Sequence, residues 1–385
     1  MAENFQIAQL VATIPDFMKA LVDETMRKRL RLSLLQQRGK IMVNQSGRRR
    51  CEYPIRVDKP PTRGYAPRMD IGGGYGDHQS LRKISLPWRG MIVQDSITLW
   101  DYKINDNGPG TVVNLFQEKM SNLKSAIQED FHGVSITAGD GLLPDGIETY
   151  LGYTPCASTD KIAVPNDSYG DSEASLSTVL GALGGTWDPA VGTPPNAALG
   201  NDYPNGKGSR PYNANSPLFV NTNTTAWGTG QTSFEANCFR VLTQAISWQN
   251  KNGGAEGKAT NGMMGEDHWT ALKYNQEAKF RIQQSGTAKE AIDLGFADTI
   301  MFDGVMLHTE FDAPTGVTYL ENMDQIEISS LWPELFWFFD PTTRAAAFDS
   351  SNLDMNTLSL KQLGAMWGQF RYRPRHTTRI ADHTS

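Results

Sequence analysis

The chain has 385 residues, enough to bury a sizeable core, and its 36 Gly and 20 Pro, with long Asn, Ser and Thr tracts, exclude an all-helical protein. A net charge of −6 disfavours a dedicated nucleic-acid binder, and three distant cysteines, Cys51, Cys156 and Cys238, support neither a disulfide framework nor a zinc site. No apolar run is long enough to span a bilayer, and the opening MAENFQIAQ lacks both a basic start and an apolar stretch, so synthesis in the cytoplasm is expected, with no membrane partner.

Residues 1–40 predict a short arm and then a helix, with Pro15 in the first turn and Ile14, Phe17, Met18, Leu21 and Val22 on one face. From Arg27 to Arg50 there are nine basic residues and no acidic one: Arg27, Lys28, Arg29, Arg31, Arg38, Lys40, Arg48, Arg49 and Arg50. In a net acidic protein this segregation calls for a polyanionic neighbour or acidic patches on other subunits; a solvated basic face is the plain alternative. Arg27, Lys28, Arg29, Arg31, Arg48, Arg49 and Arg50 are therefore the candidate interaction residues of a basic arm.

Residues 51–94 predict a long two-stranded excursion. Tyr53 to Val57 runs outward, Pro60 and Pro61 interrupt it, Arg63 to Asp77 forms a Gly- and Tyr-rich tip, and Ser80 to Val93 returns with Ile84, Leu86 and Trp88 on one side. Such a hairpin has too little core to stand alone, so it is expected to lie on something else, a neighbouring copy being the obvious support.

Asp95 to Asn107 predicts a helix or turn. In Thr111 to Gly133 the residues Val112, Phe116, Met120, Leu123, Ile127 and Phe131 recur at steps of four and three, one stripe of a helix of roughly 35 Å, with Thr111 as cap and His132-Gly133 as stop. From Ala138 to Thr232 the chain is polar and rich in Gly, Pro and Asn, yet Trp187, Tyr203, Tyr212, Phe219 and Trp227 are spread through it, which favours a loop-rich β domain over disorder. Phe234 to Trp248 and Glu266 to Gln284 predict helices, the first with Phe234, Cys238, Val241, Leu242, Ala245 and Trp248 on one face. Strands follow at Thr299 to Phe302, Val305 to Thr309, Thr318 to Leu320 and Gln325 to Ser329, with a turn at Pro314 to Gly316. Trp332 to Phe339 reads as core, and Leu358 to Arg373 closes at Pro374 and Arg375.

Motifs of chemistry are scarce. The sequence holds no Walker A loop, no dinucleotide fingerprint, no nucleophile elbow and no HExxH helix. Glu266, Asp267 and His268 are consecutive and point in different helical directions, and the Asp101 to Gly108 stretch puts Lys103 where a calcium loop needs an oxygen. The reading assigns no catalytic residue, cofactor or metal.

The order of parts (basic arm, projecting hairpin, long helix, loop-rich domain, return strands) resembles the major capsid proteins of tailed bacteriophages, the Hong-Kong-97-type fold. Ile84 to Val93 followed by Asp95 is similar to that family's hairpin return strand, Thr111 to Gly133 to its spine helix, and Ser216 to Thr224 with the helix after it to the approach to the axial domain. Gly295 to Glu310 with Gly316, Tyr319, Leu320 and Asn322, and the closing Pro374-Arg375, fit the same series. The resemblance covers about Ile55 to Arg375 and implies an α+β fold: N-terminal arm 1–50, extended loop 51–94, peripheral domain with spine helix 95–138, axial domain with an insertion 139–319, and a return to the peripheral domain 320–385.

It further implies a non-enzymatic shell subunit that assembles with itself as pentamers and hexamers in the host cytoplasm and resides in the virion capsid. Its implied partners are a separate scaffolding protein, a portal protein, packaged double-stranded DNA held non-specifically, and a possible decoration protein. Ala138 to Thr232 is longer than a minimal axial domain, and no helical extension of scaffold size precedes the arm. A tail or portal component, forming rings or tubes, is the alternative; a cytoplasmic enzyme with an unrecognised carboxylate site is the lesser one.

Overall fold

The structure is a computed structural model that describes residues 30–45, 49–56, 81–98, 109–159, 161–165, 217–228, 232–253, 257–275, 299–310, 312–336, 353–354 and 359–384. The predicted helix at Pro15, the hairpin tip and the stretch 166–216 lie outside them. In the first half the elements are α1 (Leu30–Gln37), β1 (Ile41–Met42), β2 (Arg50–Arg56), β3 (Leu81–Pro87), β4 (Arg89–Thr98), α2 (Pro109–Ile136), β5 (Tyr153–Thr154) and β6 (Ile162–Pro165). Then come β7 (Leu218–Asn221), α3 (Phe234–Gly253), β8 (Asn261–Met264), α4 (Glu266–Tyr274), β9 (Thr299–Phe302), β10 (Val305–Thr309), β11 (Thr318–Glu321), β12 (Glu327–Ser330), β13 (Leu353–Asp354), β14 (Ser359–Arg371) and β15 (Thr377–Ala381).

Among the described residues there are two main sheets. The first has five strands and is organised by β14, which pairs antiparallel with β4 from Ser359↔Thr98 to Gly368↔Arg89 and with β12 and β13 elsewhere; β1 joins β12 in parallel. This pairing draws Asp95 to Thr98, expected as helix or turn, into strand β4, since Leu360 offers Ile97 a ladder partner. Helix α2 lies on this sheet through the predicted stripe: Leu123, Ile127 and Phe131 are buried, and Phe131 stacks on Phe370 of β14 with centroids 5.0 Å apart. The side chains of Val112, Phe116 and Met120 lie outside the description.

With 28 residues α2 is about 42 Å long, and it runs past the predicted stop at His132-Gly133. Val134 and Ile136 extend the buried face by another turn, and the next chain segment closes on the helix end at Gly146. A Cβ there would sit 2.2 Å from the Val134 carbonyl oxygen, so only glycine permits that approach.

The hairpin root forms where expected, as an antiparallel β2–β3 ladder with Tyr53 opposite Ile84. Its support differs from the expectation. Cys51, Tyr53, Ile84 and Leu86 are buried in the chain's own core, so the root rests on its own subunit. Pro87, which has no N–H to donate, ends that ladder, and after Trp88 the return strand leaves β2 and continues as β4 on β14.

The second sheet has eight strands in the order β5-β6-β7-β15-β11-β8-β10-β9. Strands β7, β8 and β11 are buried at every position, because both faces are covered. Alternation sorts them: Leu218, Val220, Met264, Leu307, Leu320 and Ile380 join a core with α3 and α4, while Phe219, Met263, Met306 and Tyr319 face the core shared with α1 and α2. The β9–β10 turn has Asp303 at φ 49° and Gly304 at φ 82°, the left-handed pair that a two-residue hairpin requires. Helix α3 buries the six residues predicted for its face, whereas α4 ends at Tyr274, short of Gln284.

Two connections pass between the sheets side by side, β11 to β12 through 322–326 and β14 to β15 through 372–376. Glu321 is paired with Thr377 at one end and Glu327 with Arg371 at the other, with Asn322 N–H donating to the His376 carbonyl (3.3 Å) between them. The final strand β15 thus lies in the eight-stranded sheet, beyond the point where the sequence reading returned the chain to its first domain.

Candidate functional site

The described part of the basic stretch begins in α1, LRLSLLQQ, where Leu30, Leu32, Leu34 and Leu35 are buried and so are Arg31 and Ser33 between them. A helix covered on all sides leaves its cation no route to water, and a buried charge persists only when paired and fully hydrogen-bonded. Arg31 meets that condition with Glu321 at the end of β11: Nε donates to Oε2 at 3.1 Å and Nη2 to Oε1 at 2.8 Å, a two-pronged fit. Nη1 donates to the carbonyl (2.9 Å) and hydroxyl (2.7 Å) oxygens of Ser135, in the last turn of α2, where the helix dipole favours a cation. Nη2 also reaches the Tyr372 hydroxyl (3.3 Å), which itself donates to Ser135 O (3.0 Å).

Burial works against the guanidinium's charge, but Glu321 and Tyr372 outweigh it and hold the group above its ordinary pKa. The Tyr372 phenol is pushed up to about 12, by burial first, against the pull of Arg31. Tyr53 of the hairpin root adds a bond from its hydroxyl to the Tyr372 carbonyl (2.7 Å). One arginine therefore ties α1, α2, the eight-stranded sheet and the 372–376 connection at the place where the sheets join.

This corrects the sequence reading of Arg31 as an interaction residue of the arm: it is an internal cation committed to Glu321. Arg38, from the same basic stretch, meets Asp324 at 3.1 Å in a half-exposed pair of small energetic weight. Arg49 is exposed and Arg50 opens β2 opposite Pro87, while Arg27, Lys28, Arg29 and Arg48 lie outside the described residues. Charge counting missed Glu321, Ser135 and Tyr372 as partners; the available signal was the leucines flanking Arg31, which mark a helix without a wet face.

A second polar chain meets the end of α2. His132, fully buried, contacts Asp312 through Nδ1 and lies 2.6 Å from Glu310 Oε1 through Nε2, while His308 Nε2 approaches Glu310 Oε2 at 3.1 Å. Burial first, then charge repulsion from His132, holds His308 down to about 4, although Glu310 pulls the other way. Burial raises the Glu310 carboxyl, but the two imidazoles win and its pKa is lowered. His268 lies apart, bonded to Thr318 Oγ1 at 2.8 Å, with Glu266 and Asp267 exposed beside it. Among the described residues no set of three or more His, Cys, Asp or Glu side chains is arranged to hold a metal ion.

No protein-family model matches the sequence, and no curated protein matches it. Solved structures do. The capsid of the native GTA particle is similar at 11% identity, covering 90% of this chain and 89% of that one with a TM-score of 0.50. The chain has the Hong-Kong-97-type capsid fold. The cyanophage A-1(L) capsid is similar at 14% identity over 92% of this chain and 93% of that one (TM-score 0.49), and the empty GTA particle capsid at 10% identity over 91% and 96% (TM-score 0.46). Identity this low carries the architecture and not the residues.

Proposed function

We propose that the chain is a major capsid protein, a non-enzymatic subunit that assembles with copies of itself, as pentamers and hexamers, into the icosahedral shell around the double-stranded DNA of a tailed bacteriophage. The fold shared with the native GTA particle's capsid over about nine-tenths of both chains is the observation that supports this reading. A shell needs small complementary surfaces that close by symmetry and no reacting group. On this reading the five-stranded sheet with α2 is the peripheral domain, the eight-stranded sheet is the axial domain, and the 139–319 stretch carries an insertion. A separate scaffolding protein, a portal protein, non-specifically held DNA and a decoration protein are its partners. Arg27, Lys28, Arg29, Arg48, Arg49 and Arg50 remain the arm's interaction residues, facing scaffold or protein neighbours before DNA.

Electron microscopy of the purified chain, alone and with its neighbouring genes co-expressed, tests the reading. Closed shells are expected; open rings, tubes or a discrete small oligomer would overturn it. Changing Arg48, Arg49 and Arg50 to Gln should lower the yield of empty shells, most at high salt, where the remaining pairs are already screened. Unchanged yield at every ionic strength would remove the arm's assembly role.

A further inference from the structure

The polar chain at the end of α2 can be counted hydrogen by hydrogen. It runs from His132, on the helix that packs against the five-stranded sheet, to His308 on β10 of the eight-stranded sheet, with Glu310 and Asp312 in the segment after β10. Four ring nitrogens meet four oxygens, and those oxygens belong to a backbone carbonyl or to carboxylates, groups that accept hydrogen bonds and donate none when ionised.

His308 Nδ1 lies 3.1 Å from the Gly262 carbonyl oxygen, so this ring's hydrogen is spent there. Burial holds its pKa down to about 4, so near neutral pH the ring is uncharged and Nε2, 3.1 Å from Glu310 Oε2, is a bare lone pair. His308 therefore gives Glu310 no hydrogen. Yet the Glu310 carboxyl is held ionised, its pKa lowered, with only 5% of the side chain exposed, and a buried charge needs a donor. His132 Nε2, 2.6 Å from Oε1, is in place to supply it. His132 Nδ1 meets a second carboxylate, that of Asp312. A neutral imidazole has one N–H and can serve one of the two; the imidazolium serves both.

Other charges act on this group from each element around it. Arg31 of α1 pulls on Glu310 but is itself matched to Glu321 of β11; on α2, Lys124 is buried two turns before His132, and Glu129 and Asp130 are exposed in the turn before it.

We propose that His132 is a buried imidazolium, with a hydrogen on each ring nitrogen, that binds Glu310 and Asp312 at once, and that its second proton is a pH-sensitive latch between α2 and the segment after β10. Removing that proton as the pH rises leaves one N–H for two carboxylates. Glu310 is the deeper of them, whereas Asp312, 25% exposed, can turn to water, so the latch opens at Asp312. An unfolded histidine releases its proton above about 6.5, so the latch's contribution to stability is full below that pH and is lost as the pH rises. The latch belongs to the folded subunit and does not depend on shell formation.

Two measurements on the full-length, unassembled chain test this. In nitrogen-15 NMR at pH 7.5, with the His132 ring assigned through its bonds to the backbone, both ring nitrogens should carry hydrogen. A ring with one N–H and one bare nitrogen would overturn the proposal. The second uses Asp312→Asn, which gives a neutral ring a full set of bonds: the amide donates to Nδ1 while Nε2–H serves Glu310. Between pH 7 and 8.5 the variant's unfolding constant should fall relative to that of the unaltered chain by about tenfold per pH unit, the slope of one proton. Parallel pH profiles for the two chains, as a merely structural contact would give, would overturn the latch.

Discussion

Arg31→Met is the sharpest perturbation of the joint between the sheets. Methionine keeps the straight aliphatic stem and fits α1, so packing changes little, but every bond from the guanidinium disappears. Ser135 O keeps the Tyr372 hydroxyl as a donor, and Ser135 Oγ still donates to the His132 carbonyl, so those groups stay satisfied. Glu321 does not: it is fully buried, and both carboxylate oxygens were matched to Arg31. Breaking one side of a buried pair costs roughly 3–5 kcal/mol, mostly the uncompensated charge left behind. In urea denaturation of the unassembled subunit, with a slope of about 3 kcal/mol/M, the midpoint should fall by more than about 1 M. Arg31→Met combined with Glu321→Leu removes both charges and should recover most of the loss. A single-mutant change under about 0.5 kcal/mol, the scale of surface substitutions, would refute the claim that this arginine is an internal tie.

Leu123→Ala, in the buried stripe of α2, should cost about 2–5 kcal/mol and Phe131→Ala about 3–5, read from the same midpoints; a value near zero would place the stripe in solvent. Burial, ahead of any other cause, holds His268, His308 and His376 down to about 4 and His383 to about 3, against 6.5 when unfolded. Between these values the unfolded chain binds more protons than the folded one, so stability is full above about 6.5 and falls as the pH drops toward 4, by on the order of 3 kcal/mol per histidine. Denaturation midpoints from pH 7 to 4.5 check this, and His268→Gln should flatten the profile. Deleting Arg63 to Asp77, which leaves the buried root of Cys51, Tyr53, Ile84 and Leu86 intact, should give a folded subunit that builds no stable shell, as judged by circular dichroism and microscopy.

Local chemistry made much of the fold legible. The apolar runs Thr299 to Phe302 and Val305 to Thr309 marked two strands, and the helical spacing named Leu123, Ile127 and Phe131 of α2 and the six buried residues of α3. The misreadings share a cause: each depended on a partner far along the chain. Asp95 to Thr98 has no strand signal strong enough to outweigh its polar neighbours, and it becomes strand because Ser359 to Gln362 lies beside it. Trp88 splits the return strand because β14 competes with β2 for the chain beyond it. Arg31 counted as a surface cation because Glu321 is 290 residues away, and charge segregation along a sequence says nothing about which charges will meet an opposite one inside.

The paired connections at 322–326 and 372–376 have a mechanical consequence. A single linker carries tension but lets the bodies it joins swivel about its backbone torsions. Here two antiparallel segments leave one sheet and enter the other together, laddered at both ends and cross-bonded between them, so rotating one sheet against the other about the connection would shear those bonds. Flexing across the flat of the ribbon breaks none of them. The joint thus resists twisting of one sheet against the other more than it resists bending.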